Sequence, residues 1–283
     1  MEKGKMRLLK ERLSSLSDKD LDFLIDTAAP EVSDRNRLKE ILKEDEDFRE
    51  RFITDEKVVQ TVLYDEEIFL KISPHLFFEI LLKKAKRDFS ETGYTIEKTP
   101  HMKIPVFDAD EVIEFLKDED HLFYLADMLS SFTKVESYSI LIQIREGIWK
   151  RIWFNNMDIQ SLRAFCDVVD EEYRFTLYKR IADLCLFILG LFPDYVERNY
   201  RYPHTLKKRP SLFGIQRLSP EEYEKEGIRF YRLAAEHQSI KDTQLEELFW
   251  DFSENFQKAK KPLNYISEHY FQYSTKQRLF EIF

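Results

Sequence analysis

Glycine is scarce in this chain: 6 in 283 residues, at positions 4, 93, 147, 190, 214 and 227. No two stand close enough for a Walker loop or a dinucleotide fingerprint, so the ordinary phosphate cradles are excluded. A G-x-S-x-G elbow is absent too, which excludes an α/β-hydrolase. With only 9 prolines besides, the chain has too few corner residues for an all-β sandwich or a Rossmann-type fold. The 2 cysteines, Cys166 and Cys185, form no CxxC pair, so structural zinc is not expected. Both sit in apolar stretches and read as buried free thiols.

The 6 histidines are His75, His101, His121, His204, His237 and His269, and no two share a helix face. A di-iron bundle needs two Glu-x-x-His pairs; Asp118 and His121 come nearest, and that acidic turn reads as solvated helix surface. The sequence therefore gives no reason to expect a metal or a cofactor. Long apolar runs are missing as well. The longest uncharged one, residues 184–192, falls short of the roughly 20 residues of a membrane span, and residues 1–10 do not lead into a signal-type apolar region. The expectation is a cytoplasmic protein with no membrane contact. Positive charge is in deficit: 44 Lys and Arg against 53 Asp and Glu leave a net charge of −9. A protein that mainly coats nucleic acid needs a basic face, so that function is disfavoured.

What the chain has in quantity is apolar and aromatic side chain: 43% hydrophobic residues, with 24 Phe and 14 Tyr. That suffices for a packed core without staples, in one large domain or two ordinary ones. Helix starts recur. Ser17, Ser33-Asp34, Thr54-Asp55, Ser73, Asp108 and Ser219 each precede an apolar-periodic segment, with proline following Ser73 and Ser219; short oxygen-bearing side chains accept from the free N–H groups of a first turn. Residues 76–82 are apolar nearly all round, and Leu245, Leu248, Phe249, Phe252 and Phe256 form one helical stripe. The fold class is all-α, a multi-helical bundle or irregular helical array of roughly ten to thirteen helices. At most one small β-hairpin is expected, near 94–106, where Tyr94-Thr95-Ile96 lies between Gly93 and Pro105. The organisation expected is an N-terminal helical subdomain over 1–90, a loop or hairpin over 91–107 and a C-terminal helical domain over 108–283, or one continuous domain.

Three places invite a sharper reading. The apolar helix over 180–193 carries Asp183 in a segment with almost no polar face. A buried carboxylate is costly unless paired; Arg180, one turn earlier, is the nearest candidate partner, with Arg145 and Arg151 expected on a neighbouring helix. Either an ion pair fixes helix register there, or Asp183, Arg180, Arg145 and Tyr231 line a pocket that binds a small ligand or catalyses a reaction. The run Leu186-Phe187-x-x-Gly190-x-Phe192-Pro193, followed by Gly227-x-x-x-Tyr231 with Ala234, resembles a pattern of uncharacterised bacterial helical proteins, over residues 174–236. That resemblance implies a bacterial all-helical protein and carries no activity with it.

The second place is the stretch 198–217, which holds Arg198, Arg201, Lys207, Lys208, Arg209 and Arg217 with no acid and with Tyr200, Tyr202 and Phe213 interleaved. It either grips an anionic ligand, a phosphorylated molecule or a single strand, or folds over the protein's own acidic surface. The third is the apolar C-terminus, Leu279, Phe280, Ile282 and Phe283, which docks on the body or on a second subunit. The leading functional expectation is a helical binding or scaffolding protein acting through a protein partner or as a homo-oligomer. The alternatives are the pocket near Asp183 and, more weakly, the basic stretch.

Overall fold

In the computed structural model, which describes residues 16–98, 102–134, 137–145, 148–194, 196, 218–271 and 279–280, helices begin where the short oxygen-bearing side chains stand. Helix α1 (Asp18–Ala28) opens on a capping box: the Ser17 hydroxyl accepts from the Asp20 amide, and the Asp20 carboxylate accepts from the Ser17 amide. Asp34, Asp45 and Asp55 cap α2 (Arg35–Glu44), α3 (Glu46–Ile53) and α4 (Glu56–Tyr64), each carboxylate accepting from one first-turn amide. After the short α5 (Ile68–Lys71), Ser73 and Pro74 start the long α6 (Pro74–Thr92). Gly93 ends it in the left-handed region, at φ 73°, where a side chain would be strained. Strands β1 (Thr95–Lys98) and β2 (Lys103–Val106) pair antiparallel, with Thr95 opposite Val106 and Glu97 opposite Ile104. Helices α7 (Ala109–Lys117) and α8 (Glu119–Ser131) follow.

The described chain groups into two units, one drawn from residues 1–133 and 261–279, the other from 134–260 and 280–283. In the first, α6 is the central element and packs on α8, α7 and α4. Every residue from Leu76 to Leu82 is buried on it, as the nearly all-round apolar pattern requires. Asp20 joins the starts of two helices here, since the Ser73 amide also donates to its carboxylate, at 2.6 Å.

The second unit opens on β3 (Ser137–Arg145) and β4 (Ile148–Asn155), an antiparallel hairpin. Helix α9 (Ile159–Val168), a 3-10 turn (Glu171–Tyr173), α10 (Phe175–Leu191), α11 (Pro220–Ala235), a second 3-10 turn (Gln238–Ile240) and α12 (Gln244–Glu254) come next. Helix α13 (Phe256–His269) starts in this unit, and its residues from Lys261 onward belong to the first. The main contact is between α10 and α11, and α12 packs on α11 and reaches α10 through Phe249 and Phe175. Gly227 is what permits this approach: a Cβ there would lie 2.5 and 2.7 Å from ring carbons of Phe256 and 3.1 Å from the Cys185 Cβ. Phe280 closes the apolar end of α10, its ring 5.0 Å from Phe187 and 5.8 Å from Phe192, so this part of the C-terminus docks on the chain itself. Ile282 and Phe283 lie outside the described residues.

The all-α class holds, and the small hairpin falls where expected. A second hairpin was not anticipated. Residues 137–155 were expected to be helical around Arg145 and Arg151, yet they alternate Tyr138, Ile140, Ile142 and Ile144 with Ser139, Leu141, Gln143 and Arg145 on one side of Gly147. β-branched and aromatic residues with a period of two form strands. The stripe from Leu245 to Phe256 is broken by Asn255, which ends α12 before α13 begins. His121 is buried rather than solvated: its Nδ1 is 3.0 Å from the Phe115 carbonyl oxygen, and its ring stacks on Phe115. Among the described residues, no helix is long and apolar enough to cross a membrane.

Candidate functional site

Asp183 lies on α10 with 1% of its surface exposed. The carboxylate is paired, as its burial demands. Tyr231 of α11 donates its hydroxyl to one oxygen at 2.9 Å, and the Lys179 ammonium, one turn earlier on α10, sits 2.8 Å from the other. Tyr231 has no exposed surface and is enclosed by the rings of Phe249, Phe252 and Phe256. Arg180, the partner expected from the sequence, donates its Nε–H to the Asn156 carbonyl at 3.1 Å, and its guanidinium reaches the Met157 sulfur. Arg145 ends β3 opposite Ile148, on a strand rather than on a neighbouring helix. Of the four residues grouped from the sequence, the structure thus joins Asp183 and Tyr231, with Lys179 as the cation that was not foreseen. The geometry is an internal tie between α10 and α11, whose carboxylate and tyrosine are both buried.

A more accessible arrangement lies in the first unit, on the hairpin β1–β2. One face is anchored. Thr95 is buried there, its hydroxyl donating to the Asp108 carboxylate. The buried ammonium of Lys261, on α13, pairs with Asp108 and with Glu97 at 3.1 Å, and lies 3.3 Å from the Thr95 hydroxyl. Asp108 therefore occupies the cap position of α7 without capping it through its side chain; the carboxylate is spent on the hairpin. By the two-residue alternation of a strand, the opposite face carries Ile96 paired with Pro105, continued at the base by Tyr94 and Phe107. These two rings meet edge to face, 6.3 Å between centroids. Tyr94 and Pro105 are exposed, and Phe107 is 86% exposed. An exposed aromatic pair thus projects from a hairpin whose other side is tied to the buried Lys261 ammonium.

Two further polar clusters sit on α6. Asp88 pairs with Lys84 and accepts from the hydroxyls of Tyr265, at 3.2 Å, and Tyr270, at 2.6 Å. Burial, with Asp88 beside it, pushes the Tyr265 phenol up to about 12, and the same causes push Tyr270 upward. Glu79 and Lys83 lie deeper, and Glu79 was missed in the sequence although it interrupts the apolar run 76–82 as Asp183 interrupts its own. Burial also pushes the Cys166 thiol up to about 11 and raises Cys185; both are free and buried. Among the described residues, no group of three or more His, Cys, Asp or Glu is placed to hold a metal ion. Arg198, Arg201, Lys207, Lys208, Arg209 and Arg217 lie outside the described residues.

These features define a helical protein of two units, each built around one long, deeply buried helix. Comparison with protein-family models, with curated proteins and with solved structures finds no match for the chain.

Proposed function

We propose that this chain is a helical binding protein, and that it engages a protein partner through the outer face of the hairpin β1–β2. The observation that carries the reading is the exposed pair Tyr94 and Phe107, standing on a hairpin whose inner face is fixed by Lys261 and Asp108. Aromatic rings give large contact area for few rotatable bonds and are enriched among interface hot spots. A face that projects outward does not enclose a small ligand, whose sites are concave. The occupant it fits is a protein with an apolar groove deep enough for the Phe107 ring. The pocket reading near Asp183 has less support, since the carboxylate and the Tyr231 hydroxyl are closed into the core.

The test places a photo-crosslinking residue at Phe107 and, separately, at Tyr64, which is also exposed, in the full chain inside its native cells. The expected result is an adduct with a second protein from position 107 that is absent from position 64 and is weakened by Tyr94→Ala. Binding of that protein, once purified, should weaken by about 2 kcal/mol, roughly thirtyfold in Kd, on Phe107→Ala. Equal adducts from both positions, or none from 107, would overturn the proposal; adducts only with a second copy of the chain would do so as well.

A further inference from the structure

At the junction of α3, α6 and α8 in the first unit, a buried acid and a buried lysine meet two acids that stand at the surface, Glu50 and Glu119. Glu79 is the buried acid, its side chain 3% exposed. The charged groups that face it are Lys83 on α6, Arg49 and Glu50 on α3, and Glu119 at the start of α8. Three carboxylates thus share two cations. The Lys83 ammonium, with 4% of its side chain exposed, makes an ion pair with Glu50 and lies 3.4 Å from Glu119, but 3.9 Å from Glu79. Glu79 is therefore the most enclosed of the three acids and the farthest from the lysine, and no hydroxyl or amide donor reaches it among the described residues.

Taking an ionised carboxylate out of water is costly, and a cation already engaged by two other acids offsets little of that cost. The neutral acid removes the excess negative charge and leaves two acids balanced by two cations. We propose that Glu79 takes up a proton reversibly, and that this makes the packing of α3 and α8 on α6 tighten as the medium acidifies. Burial acts in that direction, pushing the Glu79 carboxyl up to about 7. Lys83 stays charged: burial works against it, but Glu79, Glu119 and Glu50 together push its ammonium above its usual value.

The sign follows from proton counting. Between the ordinary glutamate value of 4.5 and about 7, the folded unit holds a proton on Glu79 that the unfolded chain has released. Stability then falls as pH rises through this window and levels off above it. From pH 5.5 to 8, such a displacement lowers the folding constant by roughly twenty-five-fold. His75 acts in the opposite sense, because burial lowers its value, and so the measurement must isolate Glu79.

Hydrogen exchange of the full chain, read on the backbone amides of α3 and α8 at pH 5.5 and 8, does so when wild type is compared with Glu79→Gln at each pH. Glutamine mimics the neutral acid, and His75 is common to both proteins. The expected result is a protection ratio of wild type to variant that drops by about twenty-five-fold between the two pH values, with the variant the better protected at pH 8. A ratio independent of pH would overturn the proposal. If Glu79→Gln does not fold, the carboxyl carbon of Glu79 in 13C-labelled wild type decides the matter. Titration near neutrality upholds the proposal, and titration in the ordinary glutamate range refutes it.

Discussion

Removing the Tyr231 hydroxyl tests whether the tie between α10 and α11 is structural, and its size can be worked from the contacts. In Tyr231→Phe the ring keeps its place among Phe249, Phe252 and Phe256, so no cavity opens. What is lost is one 2.9 Å hydrogen bond to a carboxylate that is 1% exposed. Hydrogen bonds to charged groups contribute about 1.5–3 kcal/mol. Lys179 remains 2.8 Å from the other oxygen, but with 28% of its side chain exposed it is partly screened and offsets little of the loss. Asp183→Leu takes from the buried tyrosine hydroxyl the carboxylate it donates to, at about 1–3 kcal/mol. The double variant has neither stranded group and should lose less than the sum of the two. Urea unfolding at 25 °C of the wild type, both single variants and the double variant gives the coupling directly. A value of about 1.5–3 kcal/mol is expected. A coupling under about 0.5 kcal/mol would show that the two groups do not depend on each other, and the internal-tie reading would fail.

Gly227→Ala should destabilise the second unit by up to about 2 kcal/mol: overpacking against Phe256 and Cys185 costs about 1–3, and the gain in helix propensity returns about 1. A thermal melt that rises on this change would refute the close approach of α10, α11 and α13. Lys261→Met should free the hairpin from α13 by leaving Asp108 and Thr95 without their cation; amides of β1 and β2 should exchange faster, and unchanged protection would show the anchor to be idle. A thiol reagent at pH 8 should leave Cys185 untouched in the native protein and react slowly with Cys166, because burial raises both thiols; both should react at once in urea, and prompt labelling of native Cys185 would contradict its burial.

The helices were legible because their signals are local. Ser17, Asp34, Asp55, Ser73 and Ser219 cap the helices they precede, and a cap acts over only three residues. The exception, Asp108, failed for a long-range reason: Lys261 lies 153 residues away and claims the carboxylate. Partner choice around Asp183 was illegible on the same grounds. Sequence spacing allowed both Arg180 and Lys179 on α10, and only the placement of Asn156 and Met157 shows where Arg180 is directed. The exposed pair Tyr94 and Phe107 could not be read at all. Alternation assigns residues to the two faces of a strand, but which face meets α13 depends on Thr95 and Lys261 meeting across 166 residues.

The buried acids of the two long helices obey one local rule and differ by one tertiary contact. Glu79 with Lys83, Asp88 with Lys84 and Asp183 with Lys179 are each an acid and a lysine four residues apart, the spacing that puts both on one helix face. That spacing, though not the choice of partner, is written in the sequence. What separates the three is whether another helix supplies a hydroxyl. Asp183 receives Tyr231 from α11, and Asp88 receives Tyr265 from α13 together with Tyr270 just beyond it. Each of these acids is thereby bonded to a second element and serves as a fixed tie. Glu79 meets no such hydroxyl among the described residues, and its lysine leans towards Glu50 and Glu119. The same i, i+4 motif thus yields two anchors and one proton-binding group, and the difference lies in which tyrosines the fold delivers to each carboxylate.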